Sequence, residues 1–161
     1  MTDDPVEGSG APPGEAEAPP ANRMAIAIFS LIGLFVALYL LSHSLGLTGS
    51  LMCGVGDCAA VQASEYGKIA GIPTSAYGVV GYTALLVLAL IGVQPGRVES
   101  RPVALLLTLG ATFGFVASGY FTYLEAFVIH AWCQWCVISA ILMTLNFVAI
   151  IPEIRRLRES A

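Results

Sequence analysis

The sequence predicts an all-α membrane protein: a four-transmembrane-helix bundle with a short outer surface helix between its first and second spans. Three observations carry this. Of the 161 residues, 57% are hydrophobic and only 11% charged, against about 25% charged in an ordinary soluble domain. Asp, Glu, Lys and Arg are absent between Arg23 and Asp57, Lys68 and Arg97, Arg101 and Glu125, and Glu125 and Glu153. Each of these windows has room for the ~20 apolar residues that cross a bilayer. Six of the seven basic residues also fall on connections that share one side of a four-pass chain.

The elements follow in order. Residues 1–22 are rich in Pro, Gly, Ala and carboxylates and have too little apolar surface to bury a core, so they read as a disordered acidic tail. Their acidic start and the lack of an apolar run before Met24 argue against a cleaved signal peptide. The four spans are expected at about 24–45, 72–93, 102–124 and 132–151, all helical because the hydrocarbon offers backbone groups no other partner. Together they make a membrane redox domain over residues 23–152, followed by a basic tail over 153–161. Between the first two spans, residues 59–69 read as a short surface helix with Val61 and Ile69 turned toward the membrane. Gly71-Ile72-Pro73 then re-enters the bilayer, with Pro73 in the first turn of the second span.

Arg and Lys set orientation. Arg23, Arg97, Arg101, Arg155, Arg156 and Arg158 lie on one side, which is therefore cytoplasmic; only Lys68 lies on the other. The expected localisation is the cell inner (plasma) membrane, multi-pass, with both termini cytoplasmic. The net charge of −4 comes largely from the N-terminal tail. With no basic patch joined to exposed aromatics, nucleic acid is not an expected partner.

The four cysteines form two close pairs. Cys53 and Cys58 bracket a Gly-rich outer loop, Cys53-Gly-Val-Gly-Asp-Cys58, and glycine lets such a loop bend and swing. Cys133 and Cys136 begin the last span and share one helix face. The helix N-terminus favours thiolate, most of all at Cys133. Cys136 sits a turn deeper, where a lipid-soluble oxidant can meet it. Both pairs fall on the outer, oxidising side. They suit a relay that exchanges dithiols and disulfides through mixed disulfides. The same residues leave other readings open: a four-thiolate zinc site in a non-enzymatic metal-binding membrane protein, structural disulfides, or inert thiols. His130 reads as an interfacial histidine, Glu125 as an interfacial carboxylate, and Trp132 and Trp135 as belt residues that can also shape a ligand pocket.

The order of these features resembles the vitamin K epoxide reductase family, in particular its bacterial members. Cys53 and Cys58, Val61, Ser64-Glu65-Tyr66, Gly71-Ile72-Pro73, Gly78 and Cys133-Gln134-Trp135-Cys136 carry the resemblance, which covers roughly residues 24–151. It implies a four-helix bundle around a quinone, ubiquinone or menaquinone. Such an enzyme draws electrons from a thioredoxin-like protein outside the cytoplasm and supports disulfide formation in secreted proteins. By the same resemblance, Cys53 and Cys58 form the loop shuttle pair and Cys133 and Cys136 the active-site pair, with Cys136 beside the quinone. Ser64, Tyr77 and Trp135 are expected near the quinone. No thioredoxin-like domain follows the last span, so the partner is expected to be a separate protein. Animal enzymes carry tyrosine where this chain has Ala140, which favours a plain quinone over an epoxide. A second family of quinone-linked disulfide generators places its Cys-x-x-Cys in the first outer loop, the reverse of the order here.

Overall fold

The computed structural model describes residues 21–159 apart from Pro95, Val98 and Glu99. Four helices are long and apolar enough to cross a membrane: Ala21–Ser44, Thr74–Val93, Arg101–Ile129 and Gln134–Arg155. In chain order the elements are α1 (Ala21–Ser44), α2 (Cys58–Ala63), strands β1 (Lys68–Ile69) and β2 (Ile72–Pro73), α3 (Thr74–Val93), α4 (Arg101–Leu124), α5 (Gln134–Ala149) and α6 (Ile151–Glu159). A π-helical turn, Glu125–Ile129, extends α4. Most of the expected tail, residues 1–20, lies outside the described residues; Ala21 and Asn22 already belong to α1. Residues 153–159 are also helical, as part of α6, and Ser160 and Ala161 lie outside the described residues.

The bundle is a square in which α1 and α4 each pack against both α3 and α5. Its core is built from Ile26, Tyr82, Leu85, Ala89, Leu107, Ala111 and Ile150. Lipid gives helices little hydrophobic reason to associate, so close packing and polar ties hold them together. Gly33 supplies close approach: a Cβ there would strike the Tyr82 ring. Gly114 does the same against the Met143 side chain. The outward faces present Phe35, Val80 and Phe113 to the surrounding medium.

Polar ties cross the bundle at three depths. Tyr82 Oη donates to the Ser139 carbonyl at 2.8 Å. Ser30 Oγ donates to Asn146 Oδ1 at 3.4 Å. At the end opposite the cysteines, Arg23 and Glu153 form a two-pronged pair, Nε–Oε1 at 2.7 Å and Nη2–Oε2 at 3.1 Å, with both side chains 1% exposed. Arg23 Nη1 also donates to the Gly92 carbonyl in the last turn of α3 at 2.7 Å. One buried guanidinium thus ties α1, α3 and α6.

The outer segment departs from expectation. In place of one surface helix over residues 59–69 stand a 3-10 turn, Glu65–Gly67, and before it the six-residue α2. It ends where Ser64 turns extended and its hydroxyl bonds the Val61 carbonyl at 2.7 Å. Lys68 and Ile69 then pair antiparallel with Pro73 and Ile72 around Ala70 and Gly71, both at positive φ (52° and 82°). Gly71-Ile72-Pro73 therefore closes a small hairpin before α3 begins. Val61 is buried beside the cysteines instead of facing the membrane.

Candidate redox site

The loop disulfide and the Cys-x-x-Cys meet at the end of the bundle opposite the Arg23–Glu153 pair. Cys53 and Cys58 are joined, their Cα atoms 6.1 Å apart. Cys133 and Cys136 are free thiols. Asp57 fixes the start of α2, its carboxylate accepting the Ala60 N–H at 3.0 Å, so Cys58 is the first helical residue and points inward. Cys58 (1% exposed), Val61 and Cys133 (0% exposed) form one buried cluster, with Cys53 and Cys136 packed against it.

The loop is stitched down to its target. Asp57 N–H donates to the Trp132 carbonyl at 2.9 Å, and Gly56 bridges Cys133 in antiparallel fashion. Gln134 Oε1 accepts from Gly54 N–H at 2.9 Å and Val55 N–H at 3.2 Å. Trp135 Nε1 donates to the Met52 carbonyl at 2.9 Å, and its ring meets Tyr39 edge-on. Gly56 has φ +90°, and a Cβ there would run into the Trp132 carbonyl. The loop glycine serves close approach as much as bending.

Cys133 is the N-cap of α5, with extended backbone, and its Sγ accepts the Cys136 N–H at 3.4 Å. The side-chain hydrogen bond from Cys136 holds its thiol below the ordinary thiol range, and the Cys136 and Trp135 N–H groups help; burial and the Glu125 charge oppose them. With the loop disulfide closed and Cys133 free, exchange between the pairs requires the Cys133 thiolate to attack Cys58.

Glu125 is not the interfacial carboxylate expected. It is 4% exposed, and Oε2 accepts the Cys133 N–H at 3.0 Å. The π turn brings it there: His130, at φ 55°, and Ala131 both donate to the Glu125 carbonyl, reversing the chain so that Cys133 returns over the carboxylate. The sequence did hold a signal, since Glu125 is the only charged residue between Arg101 and Glu153. An ionisable residue at such a place is by default functional. Gln134, the polar residue between the two cysteines, was the second signal passed over. His130 is exposed, with Nδ1 3.2 Å from the Val128 carbonyl.

A cavity of about 600 Å³ opens between the four long helices below this cluster. Ser64, Tyr77 and Cys136 line it, as do Glu125 and Tyr82; Trp135 does not, its indole being turned to the loop. Tyr77 Oη also donates to the Ile69 carbonyl at 3.2 Å, anchoring the hairpin over the cavity mouth.

A family model described as the vitamin K epoxide reductase family matches residues 24–151, about four fifths of the chain. The chain belongs to the vitamin K epoxide reductase family. Membership makes it an oxidoreductase of the membrane. The loop disulfide docked on a Cys-x-x-Cys fits the family's thiol chemistry, and quinones are the redox partners with which the family generally works.

Proposed function

We propose that this chain oxidises a thioredoxin-like protein outside the cytoplasm and reduces a membrane quinone, so supporting disulfide formation in secreted proteins. The observation that carries this reading is the stacking of three features: a partly accessible disulfide, a dithiol beneath it whose Cys133 is buried, and a cavity bordered by the deeper sulfur. The cavity suits a quinone head group. Its volume lies within the ~300–1,000 Å³ of small-molecule sites, and its wall is mostly apolar with few polar groups. Ser75 Oγ, buried on that wall, has no hydrogen-bond partner among the described residues. A quinone oxygen is a suitable partner for it. When bound, the quinone supplies the capacity to accept two electrons.

The chain's residues then take distinct roles. Cys53 is half-buried and Cys58 fully so, so an incoming thiolate attacks Cys53. Freed Cys58 exchanges with Cys133 of an oxidised Cys133–Cys136 pair, and the electrons reach Cys136 at the cavity. Ser64 and Tyr77 shape the cavity wall; Trp135 acts on the site through the loop. The zinc reading needs four free thiolates about one point, whereas two of the four sulfurs share a disulfide. In this arrangement the cysteine pairs face the outside of the plasma membrane and both termini face the cytoplasm.

The test uses the purified chain in lipid with a reduced thioredoxin-like donor and a short-chain quinone. Quinone reduction dependent on all four cysteines is expected. With a small permeant dithiol as donor, Cys53→Ala and Cys58→Ala should keep part of the activity, while Cys133→Ala and Cys136→Ala lose it. Wild-type quinone reduction by Cys136→Ser would refute the electron path.

A further inference from the structure

Converting the inner dithiol to a disulfide removes protons as well as electrons, and the site holds a group placed to handle them. Glu125 stands beside both reacting residues: its carboxylate takes the Cys133 N–H at 3.0 Å, and Cys133 Sγ in turn takes the Cys136 N–H at 3.4 Å. It also borders the cavity. Two N–H groups bind its backbone carbonyl at the π turn, which fixes where the side chain departs. Among the described residues, no Lys, Arg or His lines the cavity. The other ionisable groups on that wall are Cys136, Tyr66, Tyr77, Tyr82 and Tyr120, and Cys133 faces Glu125 from the start of α5. The carboxylate is therefore the one strong acid–base group between the sulfurs and the space beside them.

We propose that Glu125 is the proton-transfer residue of the inner dithiol, taking the Cys136 thiol proton as the Cys133–Cys136 bond forms and releasing it into the cavity. This rests on the quinone reading above. The step balances as follows. The Cys133 thiolate and the Cys136 thiol become one disulfide; the Cys136 S–H bond breaks and its proton moves to the Glu125 carboxylate. Two electrons pass to the quinone. Two protons follow them, one from Glu125 and one replacing that shed when Cys133 ionised, and the product is hydroquinone.

The experiment compares the wild-type chain with Glu125→Gln and Glu125→Asp, full length and in lipid nanodiscs. Each is first reduced with a small dithiol. Single-turnover oxidation by a short-chain quinone is followed from about pH 6 to 9, the interval over which an ordinary thiol becomes ionised. In parallel, formation of the Cys58–Cys133 link from the closed loop disulfide in a Cys136→Ser background, read by alkylation and mass spectrometry, reports the first thiolate attack by Cys133, which needs no proton acceptor at Cys136. Glu125→Gln should slow quinone oxidation by about 100-fold, the scale of general-base assistance, with rates rising about tenfold per pH unit as solvent replaces the carboxylate. KM should change little, and Glu125→Asp should recover much of the rate. The Cys133 first step should stay within about threefold, since no proton-transfer assistance is lost there. Quinone oxidation by Glu125→Gln at the wild-type rate across this pH range would overturn the inference. So would parallel loss of the Cys133 step with no rescue by Asp, which would mean that Glu125 only positions Cys133. A wild-type chain that reduces no quinone would sink the functional reading, and this inference with it.

Discussion

Replacing Gly56 with alanine should lift the loop disulfide off the inner dithiol. Gly56 sits at φ +90°, and a Cβ there meets the Trp132 carbonyl, the same oxygen that accepts the Asp57 N–H at 2.9 Å. Left-handed backbone costs an L-residue about 1–2 kcal/mol. Losing the displaced hydrogen bond adds about 1 kcal/mol. The sum, about 2–3 kcal/mol, lowers the ratio of docked to lifted loop by about 30- to 150-fold. Four hydrogen bonds hold the loop, from Asp57, Gly54, Val55 and Trp135. At a net ~1 kcal/mol each, set against the entropy of ordering the loop, they leave little reserve. The assay follows formation of the Cys58–Cys133 disulfide in a Cys136→Ser background, by acid quench, alkylation and mass spectrometry. There the Cys133 thiolate attacks Cys58, Cys53 leaves, and no second inner thiol resolves the link. Gly56→Ala should slow this link about tenfold or more, in proportion to the docked population. Gly54→Ala is the contrast. Its Cβ would lie 3.1 Å from the flexible end of Gln134, so the loss should be a few-fold at most. A Gly56→Ala protein that forms the link at the unsubstituted rate would refute the claim that docking depends on this close approach.

Three further outcomes are expected. Glu153→Gln leaves a buried guanidinium without its counter-charge and should destabilise the bundle by about 3–5 kcal/mol, whereas Arg23→Met with Glu153→Met should recover much of that; thermal unfolding in detergent separates the two. The Cys133 thiol is held below the ordinary range, so Cys58–Cys133 exchange should stay level as pH falls from about 8.5 until the lowered value is crossed. By the same sign, the stability this thiolate gives the reduced protein is full above the ordinary thiol pKa and is lost as pH falls through the lowered one; a rate that drops from pH 8.5 downward would contradict it. Reporter fusions after Gly96 and at the C-terminus should both read as cytoplasmic, and an external position for either would overturn the proposed topology.

The long helices were legible because the bilayer imposes length and apolarity, and charge-free windows record both. The cysteine pairs were legible because thiols at the outer ends of spans have few other uses. Glu125 was missed for a geometric reason. Its place depends on a π turn closed by a left-handed His130, and hydrophobic periodicity encodes no such register change. The hairpin was missed because Ala70 stands at a positive-φ position where Asn or Asp is the usual signal. The docking of the loop rests on backbone carbonyls and on Gln134, whose neighbours only the fold supplies. Arg23 was read as a topology marker, and burial against Glu153 adds a structural duty that counting charges does not disclose.

The depth of the sulfurs also bears on leakage. Cys53 is the only one of the disulfide's two atoms with a path to the medium, while Cys58 and Cys133 are sealed. A passing small thiol can strike the outermost sulfur, but it has no line of approach to Cys133, and Cys136 opens on the cavity. Like the sheath on a wire, that burial keeps Cys133 from short-circuiting to water-borne reductants. Traffic is confined to a molecule that engages Cys53 and to whatever occupies the cavity, so the medium cannot discharge the centre on its own.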